Sequence, residues 1–382
     1  MPRIPVACAD VSGSEEAYVT EAIRSSWISS TGKFVDQFEK TFAELCQSDY
    51  ALSCSNGTVA LHLALLGMGL RPGDEVIVPS LTYVATANAV RYCGAEPVFV
   101  DVDPDTWCID PEKIEAAVTP RTRGLVAVHL MGHPADMDAI NLVAAMHGLW
   151  VVEDCAEAPL AKYKGKPVGS LATAGTFSFF GNKTFTCGEG GAVTFSDNQL
   201  ATRLKLLRGQ GMDPKRRYYF PITGYNFRLT NVACAILCAQ LERKDQILER
   251  RKDIFSLYDA RLSDVPGIGL QPVADWATPS HWMYSITVDE KEFGMDRDSL
   301  AAKLQEASID SRPFFFPLHR LPPFRRAAEN QNQPLHETNR LAECGLMLPT
   351  YNSLADSDIE EITDTISKLG QATNRTGLRI AA

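Results

Sequence analysis

The 382-residue sequence has no apolar run long enough to cross a bilayer. Its longest near-apolar stretches, 61–70 and 232–241, fall short of the roughly 20 residues a spanning helix needs. The first twenty residues lack an apolar core and carry Asp10, Glu15 and Glu16, so they do not read as a secretory signal. Cys-x-x-Cys pairs are absent. The ten cysteines are scattered along the chain, which fits a reducing, cytoplasmic setting better than a disulfide framework and predicts no metal site. Positive charge is in deficit: 37 basic against 47 acidic residues leave a net charge of −10, which disfavours nucleic acid or an anionic membrane as partner. No Gly-x-Gly-x-x-Gly fingerprint is complete, because the run from Gly188 and Gly190 ends in Val193. A nicotinamide-dependent oxidoreductase is therefore disfavoured.

What the chain does contain is alternation. Residues 14–47 read as helical around a break at Trp27-Ile28-Ser29-Ser30-Thr31-Gly32, with Phe34, Phe38, Phe42 and Leu45 at core spacing after it. Trp27 and Ser29, on this loop, are either packing or a sugar contact. Apolar strands are expected at 75–79, 97–102, 124–130 and 150–153, separated by helices. Such continuous runs between helices imply a mostly parallel sheet covered on both faces. Ligands of such sheets bind beyond the carboxyl ends of the strands. The turn Ser55-Asn56-Gly57-Thr58, Tyr83, His129, Asp154 and Glu157 all fall at those ends. A turn of small residues at a helix start suits a phosphate, although helix capping alone also accounts for it.

The second half reads as one long helix, roughly 231–262, followed by a Pro- and Gly-rich linker or surface loop at 265–279. A smaller α+β unit with a final helix near 357–369 and a loose tail at 371–382 is expected beyond it. The resulting division is a large domain, 1–244, and a small C-terminal domain, 245–382, which the N-terminal segment can join.

One stretch organises the rest: Ser178-Phe179-Phe180-Gly181-Asn182-Lys183-Thr184-Phe185-Thr186-Cys187-Gly188-Glu189-Gly190-Gly191. Lys183 has no charged residue within five positions on either side. An ammonium with little solvation has a lowered pKa, and a lysine so tuned forms a Schiff base with an aldehyde cofactor. The plainer reading is a strand-end lysine in solvent.

These segments, in this order, resemble the DegT/DnrJ/EryC1/StrS family of sugar aminotransferases. The resemblance rests on Trp27-Ile28-Ser29-Ser30, Ser55-Asn56-Gly57-Thr58-Val59-Ala60-Leu61, Gly73-Asp74-Glu75-Val76-Ile77-Val78-Pro79, Glu153-Asp154-Cys155-Ala156-Glu157-Ala158, the lysine stretch, and Gly224-Tyr225-Asn226-Phe227-Arg228-Leu229-Thr230. It implies pyridoxal 5'-phosphate as cofactor on an α/β fold of type I, like aspartate aminotransferase. A large domain with a mixed, mostly parallel sheet would be flanked by helices and joined to a smaller α+β domain.

By the resemblance, Lys183 holds the cofactor and shuttles a proton, and Asp154 pairs with the pyridinium nitrogen. Glu157 stands near the phenolic oxygen, where many members carry glutamine, and Tyr83 stacks on the ring. Gly57, Thr58 and Ser178 cradle the phosphate. Asn226 and Arg228 reach into a neighbouring subunit, which implies a homodimer with shared active sites. Trp27, Ser29, Phe316 and His319 are the candidates for substrate contact; the loop 312–319 is otherwise simply packing.

The implied reaction moves an amino group from L-glutamate to a nucleotide-linked keto-deoxysugar. The lysine stretch and the tryptophan loop resemble the members that make GDP-perosamine from GDP-4-keto-6-deoxy-D-mannose. Three alternatives stay open: a dTDP- or UDP-linked or 3-keto sugar, a sugar dehydratase, and a regulator without catalysis on the same scaffold. Dehydratase relatives replace the lysine by histidine, and fold alone never guarantees activity.

Overall fold

The computed structural model describes residues 2–329 and 334–380. Seven strands form the main sheet: β1 (Tyr50–Cys54), β2 (Glu75–Pro79), β3 (Glu96–Val100), β4 (Thr122–Val128), β5 (Trp150–Asp154), β6 (Ala174–Ser178) and β7 (Gly191–Phe195). Their spatial order is β1-β7-β6-β5-β4-β2-β3. Only β7 runs against its neighbours; the pairs among β2 to β6 are parallel. The strands are mostly apolar and largely buried because helices cover both faces. On one side the helices Gly57–Gly67, Ala85–Tyr92 and Met137–Met146 bury Leu61, Leu65, Val90 and Ile140; on the other, Lys33–Leu45 and Asn231–Glu242 pack on the sheet. The fold is thus the expected mixed, mostly parallel α/β architecture.

The helix Lys33–Leu45 shows how the pattern becomes packing. Phe34, Phe38 and Phe42 are fully buried at helical spacing. The Phe42 ring meets Phe177 edge-on at 4.8 Å between centroids and Phe179 at 5.4 Å. Those two residues flank Ser178, so this aromatic cluster sets the height of the strand end that leads to Lys183.

A second sheet is antiparallel. It contains β8 (Ile268–Leu270), β9 (Tyr284–Val288), β10 (Arg312–Pro313) and β11 (Gly345–Leu348), ordered β8-β9-β11-β10. With the helices Lys244–Leu262, Arg297–Glu306 and Asp356–Ile380 it encloses its own core around Tyr258, Ile286, Leu300 and Ile362. Ile4 bridges Ile309 and belongs to this core. We propose that the domain division falls at residues 244–245, with the extreme N-terminal segment in the small domain.

Three expectations need correction. The long helix is two, Asn231–Glu242 and Lys244–Leu262, because Arg243 leaves helical geometry (φ −101°, ψ 11°). The linker at 265–279 is structured: it holds β8, and Ala277–Thr278 pairs with Lys162–Tyr163. The last helix does not yield to a loose tail at 371 but runs on as Asp356–Ile380; the rest of that expected tail, 381–382, lies outside the described residues.

Phe42→Ala should lower unfolding free energy by about 3–5 kcal/mol, the cost of emptying a packed aromatic site. Equilibrium urea unfolding measures this, and the loss should come with weaker retention of a phosphate-bearing ligand next to Ser178.

Candidate active site

The carboxyl ends of β1, β5 and β6 open into one cavity of about 530 Å³, and Gly57, Thr58, Tyr83, Asp154, Glu157, Ser178 and Lys183 all line it. Seven of the expected site residues, drawn from four separate stretches of sequence, therefore meet in one place. Lys183 Nζ lies 4.0 Å from Glu157 Oε1 and 4.1 Å from the centre of the Trp282 indole. Its side chain is only 12% exposed. Burial pushes the Lys183 pKa down, against the pull of the Glu157 and Asp154 charges.

The two carboxylates are held differently. Asp154, at the end of β5, is buried. It accepts from Thr86 Oγ1 at 2.9 Å and from the Ala156 N–H at 3.2 Å. Burial raises its pKa, and these two donors oppose the rise. Glu157 accepts from the Met131 N–H at 2.8 Å. Burial drives its pKa up to about 7, although the Lys183 charge pulls it the other way. The Met131 backbone sits at φ 52°, a strained left-handed position, so the bond from Glu157 braces a turn that would otherwise relax.

The turn at residues 55–58 is equally specific. Asn56 caps the helix Gly57–Gly67 by accepting from the Val59 N–H at 2.9 Å. Among the described residues no acceptor meets the Gly57 and Thr58 N–H groups, which belong to the first turn of that helix. A Cβ at Gly57 would lie 2.6 Å from the Cβ of Ser178. Glycine is required there to let the turn and the serine approach.

These features fit pyridoxal phosphate. Free helix N–H groups and Ser178 suit its phosphate, a buried carboxylate without a cationic side chain in contact suits a protonated ring nitrogen, and a desolvated amine suits its aldehyde. When bound, the cofactor supplies that aldehyde and a ring that accepts the electrons of a breaking bond.

The other expected residues lie elsewhere in the single chain. Trp27 is 56% exposed and lines a second cleft with Lys33 and Arg208. Its loop is fastened by Asn231, whose amide donates to the Trp27 carbonyl at 2.7 Å. Ser29 is exposed on the same loop and accepts from the Asn231 N–H. Asn226 is exposed and accepts from Arg228 Nε at 3.1 Å; neither lines the Lys183 cavity. From the loop at 312–319, Arg312 and Phe315 line the cavity, while Phe316 does not and is 56% exposed. His319 is half-buried and bound through Nδ1 to Ser80 Oγ at 2.7 Å.

Sequence reasoning missed Thr86, Met131 and Trp282. Thr86 lay inside an ordinary helical stretch. Trp282 opens a run, 282–288, that reads as a strand beyond the expected linker, and its only signal was a large aromatic at the start of that run.

Glu157→Gln gives a pH test in the cofactor-free chain. The folded-state pKa of Glu157 is raised, from an ordinary 4.5 to about 7, so its neutral form carries the stability that is lost as pH rises between those values. The glutamine variant should gain stability over the parent across that window, about 3 kcal/mol by pH 8, and match it near pH 4. Denaturant unfolding at several pH values measures the difference.

Comparison with known proteins agrees with this geometry. Residues 10–367 match the model of the DegT/DnrJ/EryC1/StrS aminotransferase family. The GDP-perosamine synthase of Caulobacter vibrioides is 47% identical over 97% of this chain and 99% of its own. The structure of DesI, solved in the presence of its TDP-sugar product, is 33% identical, with TM-score 0.89 over 100% of this chain and 96% of DesI. Streptococcus pneumoniae Spr1654 in its PLP-form is 27% identical, with TM-score 0.90 over 97% of this chain and 99% of that one. The chain belongs to the DegT/DnrJ/EryC1/StrS aminotransferase family and is a pyridoxal phosphate-dependent aminotransferase.

Proposed function

We propose that the enzyme transfers the amino group of L-glutamate to GDP-4-keto-6-deoxy-D-mannose, giving GDP-perosamine and 2-oxoglutarate in the cytoplasm. The observation that carries the reaction type is the Lys183 amine, buried in one cavity with Asp154 and Glu157. The substrate rests on likeness along the whole chain to a GDP-perosamine synthase. The likeness to DesI supports a dTDP-linked sugar as the second reading.

In this reading the Lys183 amine would hold the cofactor through its aldehyde. As a free amine, Nζ would take the proton from the amino-bearing carbon of glutamate and, in the second half-reaction, give one to C4 of the sugar. Asp154 keeps a proton on the ring nitrogen by its charge, oriented by Thr86 and the Ala156 N–H. The Gly57 and Thr58 N–H groups with Ser178 would bind the phosphate, and Tyr83 would stack on the ring. Glu157 stays close enough to Lys183 to exchange charge with it and holds the Met131 turn in place.

The site is shared between two copies of the chain. Asn226 and Arg228, with no role in the cavity of their own subunit, complete the site of the partner. The Trp27 loop and the exposed apolar residues Tyr218, Tyr219 and Phe220 meet the second copy.

Lys183→Ala should end borohydride-fixable attachment of pyridoxal phosphate. Turnover should fall by about 10²–10⁴-fold or more, the usual contribution of a positioned proton carrier; retained transamination would refute the assignment. Turnover of glutamate with GDP-linked but not dTDP-linked 4-keto sugar is expected, and activity confined to the dTDP sugar would overturn the GDP reading. Mixing Lys183→Ala with Arg228→Ala subunits under exchange should restore activity to at most about a quarter of the sites, as one intact site forms per mixed dimer. No recovery would exclude sharing.

A further inference from the structure

Trp282 has no role in the reaction as derived so far, yet it is the residue around which two domains and the reactive amine meet. Its side chain is 4% exposed and lines the cavity. Its Nε1–H donates to the Asn182 carbonyl at 2.9 Å, one residue before the lysine, and the indole face lies 4.1 Å from Lys183 Nζ. One side chain therefore grips the backbone beside Lys183 and offers its π-face to the ammonium.

The backbone behind it is clamped from both sides. Arg251, buried in the small-domain helix Lys244–Leu262, donates to the Trp282 carbonyl at 2.7 Å, to the His281 carbonyl at 3.3 Å and to Asn352 Oδ1 at 3.1 Å. Among the described residues it makes no ion pair with a carboxylate, so this buried cation is spent on the Trp282 strand entry. From the large domain, Gly132 (φ +88°) accepts from the Ser280 N–H at 3.0 Å, and a Cβ there would press to 3.2 Å from the Trp282 nitrogen. Ser280 Oγ in turn donates to the Glu157 carbonyl at 3.1 Å. His281, between them, is held at φ 54°. A strained residue persists where its surroundings over-determine it.

We propose that Trp282 is a positioning residue for the Lys183 amine: the strap formed by Ser280, His281 and Trp282, anchored on Arg251 and Gly132, holds the ammonium against the indole face and aims Nζ toward Glu157. Lys183 is then oriented from the small domain as well as from its own strand end. The charged groups around Nζ are Asp154 and Glu157 from the β5 end, with Glu189 and Arg312 also on the cavity wall. The indole is the apolar counterpart that stabilises the charged amine without adding a negative charge.

The proposal rests on Lys183 being the reactive amine, and its test reads that amine directly. The full chain, stripped of cofactor, is labelled with acetic anhydride across a pH series, and the peptide containing Lys183 is quantified by mass spectrometry. Trp282→Leu keeps the site apolar but removes the ring, so its labelling midpoint should fall by about one pH unit. Trp282→Phe keeps a weaker ring without the donor and should fall by less. A midpoint that stays or rises in the leucine variant, or falls equally in both, overturns the proposal. Should the leucine variant fail to fold by circular dichroism, the phenylalanine variant decides alone: a fall supports the role and no change refutes it. The outcome is separable from the assigned reaction, because failure of the unmodified chain to take up pyridoxal phosphate would sink the aminotransferase reading and leave the lysine midpoints untouched.

Discussion

The structure depends on keeping a buried amine and two buried carboxylates together in one cavity. Desolvation opposes the charged form of all three, and each is moved in the direction burial dictates: Lys183 down, Asp154 and Glu157 up. Their mutual attraction offsets part of that cost. Hydrogen bonds oppose the rise of the two carboxylates unequally. Asp154 has two donors, Thr86 and the Ala156 N–H, and Glu157 has one, the Met131 N–H. Asp154 thus has more donors to support its anion, and burial pushes Glu157 up to about 7. Two acids three residues apart on one chain acquire different characters from their surroundings.

The scaffold serves this constraint at the ends of its strands. A parallel sheet covered by helices gathers its strand ends at one edge, so residues far apart in sequence converge without a dedicated loop. The aromatic cluster of Phe42, Phe177 and Phe179 fixes the height of β6, and Gly57 lets the phosphate turn close on Ser178. The small domain adds the strap that carries Trp282. Because Arg251 and Asn352 fasten that strap from the small-domain side, the orientation of the amine is tied to how the two domains sit together.

Much of the site was legible in the sequence because it depends on local chemistry. An isolated lysine between an apolar strand and a glycine turn, an aspartate at a strand end, and a small-residue turn before a helix are features of short stretches. The structure brings Lys183, Asp154, Glu157, Ser178, Gly57, Thr58 and Tyr83 into one cavity. The parallel sheet was legible for the same kind of reason, as continuous apolar runs between helices have few other solutions. The break at Arg243 was not, because no proline or glycine interrupts residues 231–262 and only packing ends the first helix.

What tertiary structure alone decided is which side chains of a loop face the chemistry. From the segment at 312–319 it turned Arg312 and Phe315 to the cavity and Phe316 to solvent, since orientation in an irregular segment has no sequence period to read. It also converted an apparent linker into a paired strand and an anchored strap, bringing Trp282 within 4.1 Å of a lysine ninety-nine positions away. The sequence determined the chemistry available, through residue types at strand ends. The tertiary structure decided how that chemistry is tuned, because burial, dielectric and long-range contact exist only once the chain has folded around the amine.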